Sequence, residues 1–264
     1  MLNLPEQYDR VIYGKSPLSE VICQVRFPAI LRIASQEPAD FQERVRREYP
    51  IFRKTSTRVQ QEFGEALKKL GVPTPGVPQS YEFLTEDNLW KVVLVNDFIS
   101  LSTVAYSRFE EFQERAAFIL STFEDVYQPN FFQRIGLRYK NWIIRSELDL
   151  GSQSWETLIS EEIASELHSS TIKDAIEYYD KRLNLSLEND RYLNFQHGIQ
   201  ELEAPDGRRE KCYILDFDFY SNTKRGSSNE VLSNVSRLNQ DAGKIFRWSI
   251  SESLHKQMEP EPVQ

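Results

Sequence analysis

The chain has 264 residues, 40% of them hydrophobic, and its sixteen Phe, twelve Tyr and four Trp stand against ten Gly and twelve Pro, which excludes a low-complexity or fibrous chain and provides for a sizeable core. The formal net charge is −8, and residues 151–210 carry thirteen acidic against six basic side chains. Bulk charge therefore opposes nonspecific binding to nucleic acid or an anionic membrane surface.

Residues 1–17 read as an extended lead-in without a hydrophobic leader. Residues 19–27 form the first predicted strand, with Val21, Cys23, Val25 and Phe27 on one face and Glu20, Ile22, Gln24 and Arg26 on the other. A helix is expected over 38–49, with Asp40 in its first turn and Pro50 at its end. Residues 55–70 read as a strand and then a short helix, and 71–78, GVPTPGVP, as a loop. Runs at 81–84, 90–95 and 98–106, separated by short turns, predict an antiparallel meander. Phe109, Phe112, Ala116, Ile119, Phe123 and Val126 then recur at three- and four-residue spacing, the apolar stripe of a long helix that ends before Pro129.

The same order follows again. Residues 132–144 alternate Ile135, Leu137, Tyr139 and Asn141 with Arg134, Gly136, Arg138 and Lys140, a strand with one apolar and one basic face. A helix is expected over 155–167 with Ser154 as its N-cap, then strands at 183–187, 192–199 and 211–220, with a Pro-Asp-Gly turn at 204–208. A final helix is expected from the loop at 221–228 to about Lys256, and the tail 259–264 is expected to be disordered.

These elements predict an α+β protein built from duplicated β-α-β(3-4)-α halves, residues 1–130 and 131–258, each an antiparallel sheet packed by a long helix. The order resembles the TATA-binding-protein-like or helix-grip architecture. Laying CQVRF (23–27) over IGLRY (135–139) matches Arg26 to Arg138 and places the two near each other at a pseudo-twofold, with Glu20 and Asp216 available as counter-ions.

Four segments carry a more specific resemblance: KSPLSEVICQVRF (15–27), FFQRIGLRYKNWI (131–143), ILDFDFY (214–220) and IFRWSISESLHKQM (245–258). Together they resemble a sporadically distributed, functionally uncharacterised prokaryotic family of soluble proteins of similar length. Where Lys140 stands here, that family usually shows an aliphatic residue. The resemblance implies one shared architecture and brings no catalytic residues with it. Its sporadic distribution implies a mobile role such as phage defence or toxin neutralisation.

Few residues suggest chemistry. Asp216 and Asp218 share one face of a strand about 7 Å apart, a spacing that can hold a divalent cation if a third acid or a His joins them. Arg26, Arg134, Arg138 and Lys140 form a basic row suited to an anion, or else to internal salt bridges. His168, His197 and His255 are scattered, and Gly14-Lys15-Ser16 lacks the upstream glycine of a phosphate loop. The loop 224–228 precedes a helix N-terminus, where backbone amides can meet an anion. Cys23 and Cys212 lie in apolar runs without metal-ligand spacing, which predicts buried thiols. Phe98, Tyr106, Tyr192 and Phe195 interleave with apolar residues, as core aromatics do.

The expectation is a non-enzymatic cytoplasmic protein without a cofactor, whose groove binds another protein or a small ligand, with no membrane span. Two alternatives stand beside it: a metal-dependent phosphoryl-transfer enzyme or nuclease using Asp216 and Asp218, and a nucleic-acid-binding protein using Arg134, Arg138 and Lys140.

Overall fold

The two-residue alternation along the predicted strands gives each of them one face for a core and one for water, which suits a broad antiparallel sheet covered on one side. The computed structural model describes residues 9–55, 79–203, 207 and 209–263, and its architecture is α+β on that plan. Most of 55–70, the loop 71–78 and all of the 204–208 turn but Gly207 lie outside the described residues.

The strands are β1 (Val11–Tyr13), β2 (Leu18–Arg26), β3 (Ile51–Thr55), β4 (Ser80–Leu84), β5 (Trp90–Val95), β6 (Phe98–Thr103), β7 (Arg134–Ile144), β8 (Tyr179–Ser186), β9 (Arg191–Glu203), β10 (Arg209–Ser221) and β11 (Pro260–Pro262). Nine of them make one continuous antiparallel sheet in the order β3-β4-β5-β6-β2-β7-β10-β9-β8. The halves therefore share a sheet instead of each holding its own, and β2 and β7 join them at its centre. There Cys23 pairs with Leu137, Val25 with Ile135 and Arg26 with Arg134. Arg26 thus faces Arg134 and not Arg138, which lies four positions further along β7, about 13 Å at the rise of a strand.

One face of this sheet is packed. Most odd-numbered residues of β2, β7 and β10, among them Val21, Cys23, Leu137, Leu215 and Phe219, are buried on this face. Two long helices, α3 (Phe109–Tyr127) and α5 (Ser228–Ser249), lie on that face and touch over the first half of α5, with Gln113 Nε2 donating to Ser236 Oγ at 2.9 Å and Glu124 Oε2 accepting from the Ser228 amide at 3.1 Å. Since 113 meets 236 and 124 meets 228, the helices run antiparallel. The apolar stripe of α3 is buried as the spacing requires, with Phe112 and Phe123 fully inaccessible. Shorter helices α1 (Leu31–Ser35) and α2 (Ala39–Val45) pack Ile33, Phe41 and Val45 beside α3. Among the described residues no helix is long and apolar enough to cross a membrane.

Three further sequence expectations are corrected, all by long-range backbone pairing. The helix expected over 155–167 is the single turn α4 (Trp155–Leu158) followed by a 3-10 turn at Ser165–His168, because Ile159 turns extended and bridges Ile250. The same bridge breaks the final helix: α5 stops at Ser249, and α6 (Glu252–Gln257) restarts with Ser251 as its N-cap. The tail expected to be disordered supplies β11, which pairs antiparallel with β1 to form a two-stranded strap at the ends of the chain.

Candidate functional site

On the open face of the sheet, the sequence-flagged charges meet one another. Lys140 donates to Glu20 at 2.7 Å, Arg138 binds Asp216 through two nitrogens at 2.7 and 2.5 Å, Arg134 reaches Asp218 at 3.0 Å, and Arg26 reaches Asp97 at 2.5 Å. Asn194 adds a second donor to Asp218 at 3.2 Å. The bond to Asp216 raises the pKa of Arg138. Gly136 explains the reach of Arg134: a Cβ there would stand 2.8 Å from the Arg134 guanidinium, which crosses this gap to Asp218 and also covers the Tyr220 ring at 4.6 Å. Each basic residue of the row thus has its own carboxylate. No third acid or His joins Asp216 and Asp218, and no group of three or more His, Cys, Asp or Glu among the described residues is arranged to hold a metal ion.

The loop before α5 is also internally satisfied. Ser227 caps the helix by accepting the Glu230 amide, and the Glu230 carboxylate takes the Gly226 amide at 3.3 Å. Gly14 and Lys15 belong to the strap, where their amides donate to Glu259 and Met258 carbonyls at 3.0 Å.

A concavity lies on the packed face. Beyond Gln113 and Ser236, the start of α3 and the second half of α5 border a cavity of about 680 Å³. Its floor is Leu18 of β2, Tyr139 and Asn141 of β7 and Phe217 of β10; its walls are residues 106–109 and the stretch of α5 from Asn239 to Phe246; the strap residues 10–14 and Ser16 close its front. The lining is mostly apolar and aromatic, with a few placed polar groups. Tyr139 donates its hydroxyl to Asn239 Oδ1 at 2.7 Å, and Tyr106 packs edge-on against the Tyr139 ring at 5.9 Å. Burial, then the neighbouring Tyr106, pushes the Tyr139 hydroxyl well above its usual pKa, so it remains a neutral donor. Buried Asn141 donates to the Leu215 carbonyl at 3.1 Å.

The strap is tied down by polar contacts at both ends. Arg10 grips Glu110 of α3 with two hydrogen bonds at 2.5 and 2.8 Å, and this pairing lowers the Glu110 pKa to about 2. Tyr13 bonds His255 of α6 at 2.9 Å and packs edge-on against Phe246 of α5, while Lys15 bridges Asp149 and Glu259, each at 3.0 Å.

A second buried polar group lies near the β8 edge. His197 is inaccessible, stacks on Phe195 at 4.6 Å and shares a hydrogen bond with Tyr213 at 2.8 Å, while its Nε2 has no partner. Burial pushes its pKa down to about 4, which keeps the imidazole neutral. Among the other histidines, His168 Nε2 meets the Ile159 carbonyl at 3.2 Å. Cys23 and Cys212 are buried free thiols, raised to about 12 and about 11 by desolvation, and hence unreactive.

Sequence reasoning named the charge row but not the cavity, whose residues come from five separated stretches. One signal was legible: Asn141 continues the apolar alternation of Ile135, Leu137 and Tyr139, and a polar residue on a buried face needs a reason. Compared with known proteins, the chain matches no family model and no curated protein.

Proposed function

We propose that this chain is a non-enzymatic binding protein that holds a small, largely apolar ligand in the cavity between α3, α5 and the strap. The observation that carries this reading is the cavity itself: about 680 Å³, within the range of small-molecule sites, aromatic-walled and furnished with a few hydroxyl and amide groups. The polar groups around it are suited to orienting a ligand. Tyr139 is held neutral, and Asn141 and Asn239 are amides, so none is an activated nucleophile.

The arrangement of the sheet also supports reading the chain as two copies of one β-α-β-α unit, residues 1–130 and 131–258. Matching Arg26 to Arg138 makes Gln24 equivalent to Gly136, and these two pair directly across the central β2–β7 ladder, as residues on a pseudo-twofold must. In this reading the architecture is TATA-binding-protein-like, with the ligand on the helical face and not on the open one. The buried thiols favour a cytoplasmic location, and the resemblance of residues 131–143 and 245–258 supports reading the chain as a member of the sporadic prokaryotic family.

Titration of the native protein with Nile red, a neutral apolar dye, tests the reading. Saturable single-site binding is expected, together with its loss in Ala242→Phe, a change that fills the cavity from its α5 wall. Absence of binding, or equal binding by a normally folded Ala242→Phe protein, overturns it.

A further inference from the structure

The charges around the cavity are unevenly matched. Among the described residues its lining includes Arg10, Arg108 and Lys244 but no Asp or Glu, in a chain whose acids outnumber its bases by forty to thirty-two. Carboxylates beside the lining are already held: Glu259, next to Gly14, by Lys15 and two others by arginines. Glu110 takes both hydrogen bonds from Arg10, and Asp241 forms an ion pair with Arg191 at 2.7 Å. Arg108 exerts a weaker pull on Glu110, and Lys244 on Asp241, yet neither forms an ion pair among the described residues. Two cations therefore flank an apolar cavity with their charge uncompensated. This contrasts with the open face, where each base of the flagged row has its own carboxylate.

Resting on the reading of the cavity as a ligand site, we infer that the ligand is a small amphipathic anion, with an aromatic or aliphatic body inside the cavity and a carboxylate or comparable head group at the rim between Arg108 and Lys244. The geometry fits this division. Tyr106, Phe109, Phe217 and Phe246 give the cavity flat apolar walls, while Arg108 is exposed and Lys244 half-buried, so both can meet an anion without being fully desolvated. A guanidinium or an ammonium that meets such a head group makes charge-assisted hydrogen bonds, stronger than those to a neutral amide of the same shape.

Calorimetric titration with naphthaleneacetate and its isosteric amide, naphthaleneacetamide, tests the inference at low ionic strength. The acid is expected to bind about tenfold more tightly than the amide, as one charge-assisted contact implies. In the double variant Arg108→Gln with Lys244→Gln, checked for native circular dichroism, this preference should fall below about threefold. Equal affinities for acid and amide overturn the anion inference and leave the ligand cavity standing. A preference that survives the double variant overturns the role of these two residues. Failure of both compounds and of Nile red overturns the underlying reading.

Discussion

Asp216 and Phe217 are neighbours on β10, but they serve opposite faces of the sheet under different rules. Asp216 belongs to an open face crowded with charge, where Glu20, Asp97, Asp216 and Asp218 answer Lys140, Arg26, Arg138 and Arg134. Phe217 forms part of the floor of a cavity with few charges, two of them without a carboxylate. A dense pattern of charged residues can thus be a self-neutralised surface, worth little per pair in water, while a sparse pattern beside an apolar cavity leaves charge for a ligand.

Truncating adjacent residues breaks this comparison most directly. Phe217→Ala should cost about 4 kcal/mol in urea denaturation, since it removes a fully buried ring. Asp216→Asn, one position away, should cost about 1 kcal/mol, because the amide keeps one acceptor for Arg138, whose guanidinium is substantially exposed. Equal costs would mean that the open face does more than balance its own charge.

The next largest effect is a pH dependence from the packed face. The neutral state of His197 is enforced by burial, with a pKa near 4 in the fold against about 6.5 in the unfolded chain. The unfolded state therefore binds more protons between these values. The stabilisation is complete above pH 6.5 and is lost as pH falls toward 4, by roughly 3 kcal/mol in total. His197→Gln, which keeps a polar partner for Tyr213, should flatten stability over that interval relative to the parent protein. Parallel curves would show that the imidazole is not held neutral.

A smaller effect concerns the geometry of the open face. Gly136→Ala should displace the Arg134 guanidinium from Asp218 at a cost of about 1 kcal/mol or less. Arg134→Ala made in that background should add almost nothing, since both changes remove one interaction. Additive costs would show that Gly136 serves something other than the passage of Arg134.

Smallest is the tie of the strap. Glu110→Gln should cost only a few tenths of a kcal/mol, because the Arg10–Glu110 pair is half-exposed. With the folded pKa of Glu110 near 2, the contribution of the pair is present above about pH 4.5 and is lost as pH falls toward 2, an acid-side loss that the variant should lack.

The local order of elements was legible because strands and helices write their exposure into the chain at periods of two and about 3.6. The stripe of Phe109, Phe112, Ala116, Ile119 and Phe123 predicts α3 closely, and the alternation from Ile135 to Asn141 predicts which side chains of β7 are buried. The break after Ser249, the single turn of α4 and the strand at Pro260–Pro262 were not legible. Each depends on hydrogen bonds to residues far away in sequence, Ile159 to Ile250 and β11 to β1, and no local periodicity encodes a distant partner.

The same distinction divides the sites. By itself the sequence determined that Arg134, Arg138 and Lys140 share a face, as do Asp216 and Asp218, because residues two apart on a strand point the same way. Only the tertiary structure decided that these two rows neutralise each other, since that follows from the register between β7 and β10. The tertiary structure also decided where a cavity opens. Five stretches between Arg10 and Phe246 meet there through helix packing and strap pairing, contacts fixed by the fold of the whole chain and not by the spacing of any segment.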